Sequence, residues 1–466
     1  MAHTRPAGLG SDGMSPATST ADREAVVYAY PLYEMRRMRA ATCPRRLAAH
    51  GEAPEGQRWC NVFTHSRSLL APGRSRVVTP NNDTLYSTAW LHVDDEPLVV
   101  EVPDTQGRYY VLGLLDFFTN PFAHLGTRLT GNAARRFVLT PPGWQGELPE
   151  ELQSAGTRVP CPTPWVWVIG RILVDGEHDL PGAHAVQDGL RVHRLGDWVA
   201  GRPPRPRAFN PDCDPSAPAG PAHFAHQVRA ALGENPPPAS DLPQIAALAA
   251  LGLDPAGPPP ADEALRRLDQ ALDEALALLR NTETGRQTAE GWTLPPLVEG
   301  SFGDDHRARA LVALKYIGML ESAEAYYPLA WKDEDGQPLT GRRVYALHFA
   351  PGATPPVDAF WSITLYDARD YMLVANPIDR YAIGDRSAGL AWAADGSLTI
   401  HIAHEAPQEP DARANWLPAP AGEFYLCLRA YIPRPALLED RWRPPALRVT
   451  GRPAGTADTP GPEPRA

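Results

Sequence analysis

Leu98-Val99-Val100-Glu101-Val102, then Pro103-Asp104-Thr105-Gln106-Gly107, then Tyr109-Tyr110-Val111-Leu112-Gly113-Leu114-Leu115 is the stretch that decides the fold class. Two β-branched and aromatic runs flank a Pro-, Asp- and Gly-containing segment, the composition of strand, turn and strand. Working outward, short strand-like runs fill the chain from Val77 to about Val174, among them Arg136 to Leu139 and Trp165 to Val174. This region reads as an antiparallel sandwich. Strand-like runs return between Arg343 and about Pro433, at Val344–Phe349, Phe360–Tyr366, Leu398–Ile402 and Phe424–Tyr431.

Helices are expected elsewhere. Ser19 and Asp22 form a capping-box-like start for a helix from Thr20 to about Ala40, which Pro31 should kink or split. Leu265, Leu268, Leu272, Leu276 and Leu279 recur at three- and four-residue spacing and predict a helix over Ala261–Arg280. Shorter helices are expected at Ala222–Leu232 and Leu242–Leu253, and a longer one from Asp304 to about Tyr327. The resulting division has polar tails at 1–19 and 451–466, a helix and β-sandwich at 20–200, a Pro-rich linker and helical segment at 201–332, and a C-terminal β-sandwich at 333–450. The class is mainly β.

Composition narrows function more than it defines it. A net charge of −11 argues against nucleic acid as the main partner. No apolar run is long enough to span a membrane, and Met1 to Ser19 does not read as a signal peptide. Five cysteines without a Cys-x-x-Cys pair suit a reducing cytoplasm. Neither a Gly-rich phosphate loop nor a Gly-x-Ser-x-Gly elbow occurs, so no nucleotide cofactor is expected. His401 and His404 would lie on opposite faces of a strand, a poor metal pair, and no metal is expected. The expected partner is a small molecule, with homo-oligomerisation left open.

The chain also echoes itself. Tyr109 to Asp116 resembles Phe360 to Asp367: each opens on two aromatics, continues apolar, ends on Asp, and is followed by Asn-Pro, at Asn120-Pro121 and Asn376-Pro377. A shared strand-exit device in two β-domains explains this, and so does chance.

Longer runs carry a resemblance. Thr79-Pro80-Asn81-Asn82-Asp83-Thr84-Leu85-Tyr86, Val102-Pro103-Asp104 with Gly107-Arg108-Tyr109-Tyr110, and Gly126-Thr127-Arg128 with Gly131-Asn132 resemble domain of unknown function 1254. Asp358 to Asp367, Asn376 to Arg386, and Asn415-Trp416-Leu417-Pro418 resemble domain of unknown function 1214. The resemblance implies an immunoglobulin-like β-sandwich, a helical segment, and a C-terminal jelly-roll-like β-sandwich. It implies no reaction.

Candidate chemistry follows from polar residues beside apolar strands, where they must find partners. If Tyr109–Asn120 is extended, Tyr110, Leu112, Leu114, Asp116, Phe118 and Asn120 share a face. Asp116 is then a general acid or base, with Arg128 either an anion clamp or its buried ion-pair partner. Tyr86 or Tyr110 would donate a proton. Asn82 and Asp83 would contact substrate or close a turn. Trp361, Tyr366, Asn376 and Arg380 would complete a pocket from the second domain, unless the Asn376–Arg386 run is only a salt-bridged loop. The function expected is a cofactor-independent acid/base enzyme (lyase, cyclase, isomerase or hydrolase type) of bacterial small-molecule or secondary metabolism. Its rivals are a metabolite- or carbohydrate-binding protein and a purely structural role.

Overall fold

The computed structural model describes residues 20–73 and 78–451. Both expected tails lie outside them apart from Gly451, as do Ser19 and Val77. The chain is sheet-rich, with five of its helices gathered in one layer.

Helix α1 (Thr20–Thr42) runs unbroken through Pro31. It is buried nearly all round, Arg36 and Arg39 included beside Val26, Val27, Tyr28, Leu32, Tyr33 and Met35, so neighbours must enclose it. The enclosing shell is α2 (Pro221–Glu234), α3 (Leu242–Ala250), α4 (Asp262–Asn281) and α5 (His306–Lys315). Phe224, Val228, Leu248, Leu268, Leu272 and Ala310 share one core with α1. Much of the segment read as a Pro-rich linker is therefore built into the interior. Its prolines sit at helix starts and in loops, while its Leu, Val and Ala residues supply the apolar faces.

Helix α5 ends at Lys315, well short of the expected Tyr327. Gly318 adopts φ +83°, and a Cβ there would stand 2.4 Å from Ile169 Cδ1. The left-handed turn thus lets the chain leave the helix and lie against a strand. Gly318→Ala is expected to destabilise by about 1–3 kcal/mol through combined strain and overpacking. Urea denaturation would show it; an unchanged midpoint would contradict this packing.

The N-terminal half has two main sheets besides two small two-stranded ones. Strands β1 (Thr64–His65), β2 (Thr84–His92), β4 (Tyr110–Leu115), β5 (Pro121–Gly126) and β8 (Trp165–Leu173) form one, in order β1-β2-β8-β4-β5. Strands β3 (Leu98–Val102), β6 (Arg135–Thr140), β7 (Gly156–Pro160) and β9 (Arg191–Arg194) form the other, in order β7-β6-β3-β9. Leu85, Tyr110, Leu112, Val166 and Val168 of the first meet Leu98, Val100, Phe137 and Val192 of the second in a common core. Alternation sends Tyr86, Tyr109, Val111 and Arg171 to the opposite face.

The C-terminal half repeats this plan. Strands β10 (Val344–Phe349), β13 (Leu398–Ala403), β14 (Trp416–Pro418) and β16 (Leu447–Gly451) pair in order β14-β13-β10-β16. Strands β11 (Val357–Asp367), β12 (Ala382–Gly384) and β15 (Phe424–Pro433) form the second sheet, extended past β15 by short pieces that include Ala325–Tyr326 and Leu329–Ala330. Taken in chain order, β3 to β9 and β10 to β16 follow one connection scheme. Even the parallel edge pair recurs, β7 on β6 and β14 on β13.

Register aligns the halves residue by residue. Val111 pairs with Arg171 and with Gly126; Ser362 pairs with Arg429 and with Gly384. Gly126 and Gly384 are equivalent in packing too: an added Cβ would lie 2.3 Å from Tyr110 O in one and 2.1 Å from Trp361 O in the other. The echo between Tyr109–Asp116 and Phe360–Asp367 is therefore a structural repeat.

Candidate functional site

The outer face of the β2-β8-β4 sheet is covered in two parts. Trp90, Leu115, Trp165, Trp167 and Ile169 pack under the helical layer. Tyr109 and Val111 pack against Phe360, Tyr431, Leu320 and Ala325 of the C-terminal half. Where the halves meet, phenols and guanidiniums gather in a buried seam, the crevice between the halves.

Two Tyr–Arg pairs form its walls. On the N-terminal side Tyr86 stands opposite Arg171 in the strand register, with the guanidinium 5.5 Å from the ring centroid. On the C-terminal side Arg429 lies 5.0 Å from the ring of Tyr327, which follows Tyr326, itself paired with Ala430. These are equivalent positions in the two repeats. Arg171 is 7% exposed and Arg429 4%. Nε and Nη1 of Arg171 and Nε of Arg429 are buried and make no hydrogen bond; the Tyr327 hydroxyl is likewise unpartnered. Arg429 Nη2 donates to Thr79 O and to the Tyr366 hydroxyl, each at 2.8 Å. Buried polar groups are normally satisfied, so these orphans are exceptions to the rule.

Acids and bases around the crevice are exchanged between the halves. Asp83 of the first half accepts from Arg386 Nη2 of the second at 2.9 Å and from the Ser362 hydroxyl at 2.6 Å. Glu324, at the start of the second half, accepts from Arg128 Nε of the first at 2.7 Å and from the Tyr109 hydroxyl at 2.8 Å. Arg128 also holds Glu321 at 2.7 Å. Arg128 and Arg386 are equivalent, and so are Asp83 and Glu324: their carbonyls accept from Val174 N, just after β8, and from Ile432 N, near the end of β15.

Burial sets the protonation of these groups. It pushes the hydroxyls of Tyr109, Tyr327 and Tyr431 above the usual phenol range, leaving them as donors. Burial also raises the Glu324 carboxyl, against the pull of its bonds from Arg128 and Tyr109. Asp385, beside Arg386, is pushed up to about 6 by burial.

His65, His92 and His124 are each held down to about 4 by burial. A histidine depressed in this way contributes stability that is complete above its unfolded value near 6.5 and is lost as pH falls toward 4. Asp385 acts in the opposite sense between 3.8 and 6, and three histidines outweigh it. The melting temperature is therefore expected to drop on acidification from pH 7 to pH 5, and less steeply in His124→Gln. Calorimetry across that range checks this, and parallel slopes would contradict it.

The residues expected from sequence divide sharply. Asp83, Tyr86, Arg128 and Tyr366 reach the crevice or its rim; Tyr366 donates to Pro80 O at 2.7 Å and accepts from Arg429. Asn82 is half-buried, and its neighbour Asn81 makes the contact instead, donating to the Tyr431 hydroxyl at 2.6 Å. Asp116 does not pair with Arg128. Its Oδ1 accepts from Phe118 N at 2.8 Å and Asn120 N at 2.9 Å, and its Oδ2 from Asn120 Nδ2 at 2.8 Å. It closes the β4–β5 turn. The expected shared face breaks there, because the strand ends at Leu115 and Phe118 turns into the helical core. Tyr110 points into the inter-sheet core and donates to Gly131 O at 3.2 Å.

Trp361 also faces inward, away from Tyr366. Asn376 and Arg380 staple their own region. Asn376 Nδ2 donates to Arg380 O at 2.9 Å, and Arg380 Nη1 to Ala414 O and Trp416 O at 2.8 and 2.9 Å. Sequence reasoning missed Arg171, Arg429 and Tyr327. Their signal was an Arg set within a wholly apolar strand, Ile169-Gly170-Arg171-Ile172-Leu173 and Cys427-Leu428-Arg429-Ala430-Tyr431.

Comparison with known proteins bears on fold and family. A crystal structure of the VPA0106 protein from Vibrio parahaemolyticus matches 92% of this chain and 98% of that one, with TM-score 0.70 and 24% identity, and shares its fold. A crystal structure of an uncharacterized protein from Burkholderia cenocepacia aligns over 94% of this chain and 91% of that one at 14% identity, with TM-score 0.41. No curated protein matches. Residues 60–194 match the family model described as protein of unknown function DUF1254, and residues 324–435 the one described as protein of unknown function DUF1214. Each covers most of one repeat, and the chain belongs to the proteins in which a DUF1254 region is followed by a DUF1214 region.

Proposed function

We propose that the chain takes a small organic anion into the crevice between its halves and converts it by acid–base chemistry of its own side chains. One observation carries the reading: Arg171 is a buried guanidinium with two unpartnered N–H groups in a ring of protonated phenols. Leaving such a cation unpaired is costly, whereas a carboxylate would accept both donors at once. Tyr86 and Tyr327 are the hydroxyls placed to hand a proton to the bound anion, replacing Asp116 and Tyr110 in that role. Arg128 and Asp83 act at the rim as positioning residues. No bound cofactor is part of this proposal.

A finer fold description belongs to the same proposal. Each half is a β-sandwich, and the shared connection scheme favours one sandwich type used twice over an immunoglobulin-like unit joined to a jelly-roll-like one. The five unpaired thiols suit a reducing cytoplasm.

A metabolite extract incubated with the wild type and with Arg171→Gln, followed by mass spectrometry of solution and bound fractions, tests the reading. An acidic species consumed by the wild type alone supports an enzyme. One retained unchanged by the wild type and released by the variant supports the rival, a binding protein. Identical behaviour of both proteins would sink the site.

A further inference from the structure

We infer that the ligand is a two-ended dianion, an organic dicarboxylate, with one carboxylate on Arg171 and the other on Arg429. This rests on the crevice being the ligand site and adds the substrate class. The repeat places two equivalent guanidiniums where the halves meet. Arg171 and Arg429 occupy the same register position in the two halves, each paired with the equivalent of one small or apolar partner, Val111 and Ser362. Each lies against an equivalent tyrosine, Tyr86 or Tyr327. Both are more than nine-tenths buried; Nε and Nη1 of Arg171 and Nε of Arg429 have no acceptor.

The surrounding carboxylates do not neutralise them. Asp83 is taken by Arg386, and Glu321 and Glu324 by Arg128. Glu324 is further drawn toward its uncharged form by burial. Arg429 lies 5.0 Å from the Tyr327 ring, itself 5.9 Å from the Tyr431 ring, and Arg171 acts electrostatically on both phenols as well. Two buried cations beside the same phenols, neither held in an ion pair among the described residues, match a ligand carrying a negative charge at each end. A monoanion would leave one guanidinium buried and unpaired. A phosphate group gathers its charge at one end and would satisfy only one wall well.

The test is calorimetric titration of the whole protein with succinate, glutarate and adipate, each against the monocarboxylate of equal chain length (butyrate, valerate, hexanoate), and with inorganic phosphate. At least one dicarboxylate is expected to bind about tenfold or more tighter than its monocarboxylate, the worth of one added charge-assisted hydrogen-bonded contact. Arg171→Gln and Arg429→Gln should each erase that preference, with unchanged circular dichroism as the check on folding. Equal affinity for both series would overturn the dianion and leave the anion crevice standing. Preference for phosphate would overturn it in favour of a one-ended dianion. No heat with any anion would overturn the crevice reading as well.

Discussion

Replacing Arg171 with methionine should raise the melting temperature of the ligand-free protein and abolish anion binding. The two effects share one cause. Arg171 sits two residues from the end of β8, between Gly170 and Ile172, 7% exposed, with Nε and Nη1 unpartnered. Its stacking on Tyr86 recovers part of the desolvation cost, since a buried cation over a ring gains roughly 2 kcal/mol. The remainder is unrecovered until an anion arrives. Methionine keeps most of the volume and removes the charge, and such replacements of buried charges stabilise by about 1–4 kcal/mol. Thermal unfolding with and without ligand separates the terms. A lower melting temperature in the variant would mean that Arg171 is a structural cation, and the function assigned to it would fall.

The second large effect is expected at Asp116, and in the opposite direction. Its carboxylate accepts three N–H groups inside the turn between β4 and β5, where it is 5% exposed. Asp116→Ala would strand those donors, at about 1–3 kcal/mol for each one left unsatisfied, so a loss of about 3–5 kcal/mol is reasonable after relaxation. Asp116→Asn preserves one acceptor oxygen and should cost less. Anion affinity of the folded fraction should be unchanged in both. Asp367, the equivalent residue, makes the same turn contact with Arg369 N at 2.8 Å, but its other partner is the exposed side chain of Arg369. Asp367→Ala should therefore be milder, about 1 kcal/mol. Loss of turnover by Asp116→Asn without loss of stability would restore it as a catalytic acid or base.

Strands were legible in this sequence because their apolar runs are bounded by turn residues. Val344–Phe349 and Leu98–Val102 coincide with the structure at both ends. Helix α4 was legible because its leucines repeat on one face. The helix bundle as a layer was not, because Pro-rich spacing around α2 and α3 resembles a linker until α1 is seen to need covering on every side. The repeat showed only at Tyr109–Asp116 and Phe360–Asp367, where a turn demands the same Asp. Elsewhere its positions ask only for apolar volume, which many residues supply.

The site was partly legible for the same reason. Asp83, Tyr86, Arg128 and Tyr366 stand in polar runs that attract attention. Arg171 and Arg429 are single charges inside strands, and alternation alone does not say that the two faces meet. Polar density misled at Asn376 and Arg380, whose hydrogen bonds are spent on their own loop and its neighbour. Asn and Asp are as common in self-bonded turns as in binding sites. Only the partner of each side chain separates the two uses.

The central claim is that the Tyr86–Arg171 and Tyr327–Arg429 pairs hold an organic anion between them. A crystal structure of the protein grown with the dicarboxylate panel tests it most directly. The account predicts a carboxylate accepting from Arg171 Nε and Nη1, with the far end of the same molecule at Arg429. An empty crevice, or a bound anion seated elsewhere while both guanidiniums remain unpartnered, would contradict it.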